Sequence, residues 1–288
     1  MKLENKAKLY LLITAIIWGL GFIGVQNALD NGWAPFPLLM MRGLIGGCFL
    51  LPFSLKTKWW RNIKMIKGSF LIGFFYFLGF AFQTIGQQTS SVANSAFLTA
   101  LNVMFVPLIL RLIQKQKLKK EVFVSCLFAL IGTAVLSFNG TFQLMQGDLF
   151  LILGALFFAL QIIYAKQVSQ FNDPIAITIL QLFVMALCSL FCMPLTQQMN
   201  IPQAGWPAVF FVAIFSSAFA FLFQIMGQAH VSPSTATILL SQESTIATAA
   251  SVIILHQPFT LQIFIGGFLM ISAVLICEQV IPLSRWKK

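Results

Sequence analysis

Residues 67–87 read KGSFLIGFFYFLGFAFQTIGQ, and after Lys67 the stretch carries no charged side chain. A helix of about 20 apolar residues spans the ~30 Å hydrocarbon core of a bilayer. The run is continuously apolar, not alternating, so it does not suit a membrane barrel strand. Hydrocarbon offers no water to satisfy backbone groups, which leaves a helix. This segment sets the fold class as an all-α integral membrane protein.

Working outward, comparable stretches fall near 8–28, 36–53, 91–111, 121–138, 146–167, 173–194, 205–228, 232–255 and 260–282. With 67–87 they predict ten transmembrane helices. Turn-forming pairs punctuate them, among them Asn31-Gly32, Asn139-Gly140, Asp173-Pro174 and Ser232-Pro233. The composition agrees: 59% of the 288 residues are hydrophobic and 9% are charged, against about 25% charged in soluble domains. The first stretch follows the basic start MKLENKAKLY. It exceeds a signal-peptide core and lacks an Ala-x-Ala site, so it reads as an uncleaved first helix.

Charge placement gives the topology. Lys2, Lys6 and Lys8 precede the first span. Lys56, Lys58, Arg61, Lys64 and Lys67 follow the second, and Arg111, Lys115, Lys117, Lys119 and Lys120 follow the fourth. Lys166 ends the sixth, and Arg285, Lys287 and Lys288 follow the tenth. With ten spans, every Lys and Arg except Arg42 lies on one side. By the positive-inside rule that side is the cytoplasm and both termini are cytoplasmic, in a bacterial inner membrane. The net charge of +11 is then topology, not a nucleic-acid surface. Cys48, Cys126, Cys188, Cys192 and Cys277 lie inside apolar stretches; they imply no disulfide framework and no metal pair.

An internal repeat underlies the spans. Gln83-Thr84-Ile85-Gly86-Gln87 matches Gln224-Ile225-Met226-Gly227-Gln228 at an offset of 141. The same offset pairs Gly79 with Ala220, Ser91 with Ser232, Asn102 with Glu243 and Gly132 with Ala273, while Arg42 falls opposite Gln181 at a nearly equal one. The expected units are 1–140 and 141–288, five helices each. An odd number of spans per unit inverts the second relative to the first, as in secondary transporters that work by alternating access.

The chain resembles the EamA family of the drug/metabolite transporter superfamily over nearly its whole length. The resemblance rests on Ala15-Ile16-Ile17-Trp18-Gly19, Arg42, Ala96-Phe97-Leu98-Thr99-Ala100-Leu101 with Val106-Pro107-Leu108, Leu239-Leu240-Ser241-Gln242-Glu243-Ser244, Pro258-Phe259-Thr260 and Gly266. It implies a small-molecule carrier, often an exporter of amino acids and related metabolites. Two positions depart from the family pattern. His256-Gln257 stands where Gly-Glu is frequent, and Ser244 stands where Pro is frequent, which predicts a straighter ninth helix.

Ionisable residues within spans are costly and usually functional or paired. Arg42 and Glu243 are the two that lie well inside, with Glu243 near the midplane and Arg42 about two turns from an end, within snorkelling reach. At about 100° per residue, Tyr76, Gly79, Gln83, Gly86 and Gln87 share one face, as do Ser217, Ala220, Gln224, Gly227 and Gln228. Glutamine amides donate and accept, which suits a neutral solute; the same stripes equally suit helix–helix packing. Ser91, Ser95, Thr99 and Asn102 form a polar face on the fourth span. On the ninth, Ser234, Thr237, Ser241, Ser244, Thr245 and Thr248 form another, with Glu243 turned away from it. Trp18 lies deeper than a belt tryptophan, and Gln161 and Tyr164 sit one turn apart on the sixth span. The candidate substrate-binding set is therefore Trp18, Arg42, Tyr76, Gln83, Asn102, Gln161, Tyr164, Gln224 and Glu243.

No catalytic, metal or cofactor residue is singled out. The sequence has no His-Glu-x-x-His, no paired intramembrane aspartates, no phosphate-binding glycine loop and no nucleophile triad, which disfavours a membrane-embedded enzyme. Without an ATP-binding motif, transport would run on gradients. Proton coupling through Glu243 stays open, and so does uptake as the alternative direction. The expected partners are a small-molecule substrate and the lipid bilayer, without nucleic acid, in a monomer or weak homo-oligomer.

Overall fold

The computed structural model describes residues 3–54, 58–90, 92–115, 119–137, 146–254 and 260–277. Ser91 and His256 lie outside them. Among the described residues there is no strand. The helices are α1 (Leu3–Asp30), α2 (Pro35–Ser54), α3 (Ile63–Gln87), α4 (Val92–Thr99), α5 (Asn102–Gln114), α6 (Lys120–Ser137), α7 (Gln146–Val168), α8 (Pro174–Leu195), α9 (Trp206–Ala213), α10 (Ala220–Gln228), α11 (Pro233–Leu240), α12 (Glu243–Ile254) and α13 (Leu261–Cys277). Among the described residues, seven segments are long and apolar enough to cross a membrane: Leu3–Asp30, Pro35–Ser54, Ile63–Gln87, Ser95–Ile113, Gly147–Phe171, Pro174–Leu195 and Trp206–Gln228. The protein is a multi-pass membrane protein. Its outer faces carry large apolar side chains, including Phe191 on α8 and Phe264 and Phe268 on α13, which a lipid environment covers.

Local chemistry sets the helix starts. Asp173 accepts from the Ala176 amide at 3.1 Å with Pro174 next to it, and Ser232 accepts from Thr235 at 3.1 Å ahead of Pro233. Both pair an N-cap with proline in the first turn. Asn62 caps α3 through the Met65 amide at 3.0 Å.

Two expected spans are broken, and a third changes its helical type. The fourth breaks at Ala100-Leu101, between α4 and α5, and the ninth at Ser241-Gln242, between α11 and α12. Around both, amides reach three residues back: Leu101 to Leu98 and Val103 to Ala100, then Gln242 to Leu239 and Ser244 to Ser241. The ninth span, for which Ser244 in place of Pro predicts a straighter helix, is interrupted all the same. The Ser241 hydroxyl donates to the Ile238 carbonyl at 2.8 Å, a side-chain bond that competes with the helical ladder. The break also undoes the single polar face drawn across 234–248, because that face assumes one uninterrupted helix. In the eighth span, Ile214–Phe219 forms a π-helical turn joining α9 to α10. Pro107 lacks the N–H that would bond Val103, and the Cys126 thiol donates to that carbonyl at 3.2 Å instead.

Small residues allow the closest approaches. A Cβ at Gly43 of α2 would lie 2.8 Å from the Ala186 side chain of α8, and one at Gly154 of α7 would lie 3.0 Å from the Gly79 carbonyl of α3. One at Gly19 of α1 would lie 2.7 Å from the carbonyl of Glu243, the first residue of α12. These contacts draw α1, α2, α3, α7 and α12 around a shared interior.

Candidate functional site

The interior holds a cavity lined by Trp18, Phe22, Arg42, Phe80, Gln83, Thr99, Asn102, Phe158, Gln161, Phe221, Gln224 and Glu243, among others. The space between these side chains is about 500 Å³ counting its open mouth, yet a water molecule's centre has only about 40 Å³ to move in. The cavity is a slot between aromatic walls. A second, wider cleft lies between Lys6, Tyr10, Asn172 and His230. It is superficial and collects no buried unpaired group, so the inner slot is the candidate site.

Arg42 is wholly buried and does not snorkel. Its Nε donates to Ser217 Oγ at 3.1 Å, and its guanidinium carbon lies 4.3 Å from the centre of the Phe80 ring, within cation–π range. The Ser217 hydroxyl donates to the Val212 carbonyl at 2.8 Å, five residues back in the π turn. Its oxygen is thereby free to accept from Arg42. The Nη1 and Nη2 atoms of Arg42 are buried without a hydrogen-bond partner. Arg42 and Glu243 line the same slot without forming an ion pair.

Amides form the polar floor. Gln161 and Gln224 bond reciprocally, Nε2 to Oε1, at 3.3 and 3.1 Å, and Gln161 also donates to Gln181 at 3.0 Å. Gln83 donates to Thr99 at 3.2 Å. Asn102 accepts from Thr237 at 3.0 Å. Asn102 begins α5 and Glu243 begins α12, so both broken helices present their N-terminal ends to the slot. Trp18 donates to the carbonyl of Ser216 in the π turn at 3.1 Å and lies against Phe221, ring centres 4.9 Å apart.

Of the nine residues expected from sequence, Trp18, Arg42, Gln83, Asn102, Gln161, Gln224 and Glu243 meet at the slot. Tyr76 stands behind it, edge-on to Phe221 at 4.0 Å and to Phe80 at 4.6 Å, and braces the aromatic wall. Tyr164 faces elsewhere, packing its ring 5.7 Å from Phe75. Sequence reasoning missed Phe22, Phe80, Phe158 and Phe221. Phenylalanine occurs 31 times, so composition offers no contrast. The repeat did hold a signal, because Phe80 and Phe221 are 141 positions apart.

A helical membrane bundle with a mixed aromatic and amide slot in its interior belongs to the class of small-molecule transporters. The chain is a member of the EamA-like transporter family, which matches residues 5–138 and 145–277. An uncharacterized transporter of Archaeoglobus fulgidus is 31% identical over 94% of this chain and 85% of its own length. The biotin transporter of Escherichia coli K12 is 23% identical over 92% of this chain and 90% of its own. A protein of known crystal structure, 16% identical, superposes with a TM-score of 0.79 over 99% of each chain, a likeness of fold. The family and these relatives point to transport of a small molecule rather than catalysis.

Proposed function

We propose that this protein is a secondary exporter of amino acids or related small metabolites, working by alternating access between two inverted five-helix repeats, residues 1–140 and 141–288. It spans a bacterial inner membrane ten times with both termini in the cytoplasm, and its solute sits in the slot among Trp18, Arg42, Gln83, Asn102, Gln161, Gln224 and Glu243.

The observation that carries this reading is that the slot draws matched residues from both halves. Phe80 and Phe221, Gln83 and Gln224, and Asn102 and Glu243 are each 141 positions apart, and all line it. The helix breaks at 100–101 and 241–242 recur at the same offset. Packing follows the pattern too: α3 meets α7 at Gly79 and Gly154, and α10 meets α1 where Thr14 donates to the Ala220 carbonyl at 3.1 Å. A site on such an axis can open to either side as the halves exchange conformations. Inverted repeats serve no purpose in a scaffold, and the slot's groups do not assemble an acid–base or nucleophile set.

The test is a metabolite-release screen in cells with and without the protein. Faster release of an amino acid or related compound supports the proposal; faster accumulation inside reverses its direction, and no change for any solute rejects it. Reporter fusions at Asn139 and at the C-terminus should give opposite signals, and matching signals would reject the ten-span topology.

A further inference from the structure

We infer that Arg42 is the anchor for a single carboxylate group on the transported solute, an assignment that rests on the carrier reading above. Arg42 is held on two sides. Phe80 covers a face of the guanidinium at 4.3 Å, and Ser217 takes the Nε hydrogen at 3.1 Å. The Nη1 and Nη2 edge remains, buried and without a partner. Two parallel N–H donors on a planar cation match the two oxygens of a carboxylate. A buried cation lacking a counter-charge is costly, so an arriving carboxylate relieves that cost.

The rest of the slot narrows the class. Its other polar groups are the neutral side chains of Trp18, Gln83, Thr99, Asn102, Gln161, Ser216 and Gln224, and the acid Glu243. They add no second cation. A dicarboxylate or a phosphate dianion would leave charge uncompensated beside Glu243. The walls are aromatic, from Trp18, Phe80, Phe158 and Phe221, so the remainder of the solute is a compact apolar or aromatic body.

The test uses the purified full chain in lipid nanodiscs and matched probes: 3-phenylpropionate, its amide 3-phenylpropionamide, and the dicarboxylate phenylsuccinate. Binding is read from ligand-dependent shifts in thermal unfolding. The acid should bind the parent protein at least about tenfold more tightly than either of the others. In Arg42→Gln that preference should vanish, and in Arg42→Lys, which keeps charge but not the fork, it should shrink. Equal binding of acid and amide by the parent overturns the anchor without reference to any variant's folding, and so does absence of acid binding. An unchanged acid preference in a folded Arg42→Gln overturns it as well. Solute release from cells is measured separately, so a failed anchor with intact release leaves the carrier reading standing.

Discussion

Phe80 and Phe221 occupy matching positions of the two halves and meet inside the slot, ring centres 6.0 Å apart and inclined at 68°. Trp18 and Tyr76 close around Phe221, so this ring joins α1, α3 and α10. Phe221→Ala should lower stability by about 3–5 kcal/mol, the usual cost of deleting a buried aromatic ring. Phe221→Leu should cost less and widen the slot. Thermal unfolding of the purified protein checks the first statement. Competition between small and bulky solutes checks the second, with bulkier ones gaining ground.

Ser217 acts through Arg42. It anchors Nε while its own proton goes to Val212, an arrangement that the π turn makes available. Ser217→Ala removes a hydrogen bond to a buried charge, worth about 1.5–3 kcal/mol. Transport should show a raised KM with a smaller change in kcat, and Ser217→Thr should restore much of it. A Ser217→Ala protein with the parent's KM contradicts the positioning role.

Gln161 and Gln224 are coupled by two hydrogen bonds. Gln224→Leu strands the Gln161 oxygen, and stability should fall by about 1–3 kcal/mol. The double variant Gln161→Leu with Gln224→Leu should cost less than the sum of the two singles, because each single variant already loses the shared bonds. Additive losses in unfolding measurements would show the pair to be energetically independent. In the single Gln224→Leu protein, transport should drop while the bundle stays folded.

How much of this was legible in the sequence follows from where each property originates. The apolar runs, the charge asymmetry and the offset of 141 lie along the chain, and so the family and most of the slot's polar residues could be read. The breaks at 100–101 and 241–242 were not, because neither site has the Pro or Gly that marks one. Arg42's depth was misjudged for a different reason. Its distance from its own helix end suggested an escape to the interface, yet α8 packs against the glycines beside it, Phe80 covers it and Ser217 holds it. Those partners come from three other helical segments. Tyr164 illustrates the same limit: one turn from Gln161, it nevertheless belongs to the Phe75 contact.

Glu243 raises the question of coupling. Counted along its own helix, Arg42 has a route to the interface that Glu243 lacks; its burial closes that route, and both residues line the slot. They differ in what holds them. Arg42 has Ser217 and Phe80, whereas Glu243 starts α12 at the helix break, its backbone pressed against Gly19 and the residue as a whole buried. In the proposed alternating-access cycle a carboxyl group placed there can take up and release a proton, which an amide cannot. Glu243→Gln keeps shape and hydrogen bonding while removing that proton. Transport by Glu243→Gln should therefore fall or lose its dependence on pH, with expression unchanged. Measured across a pH series in proteoliposomes, a variant that matches the parent at every pH would make Glu243 a structural residue of the α12 start and would remove the one carboxylate of the slot from any coupling scheme.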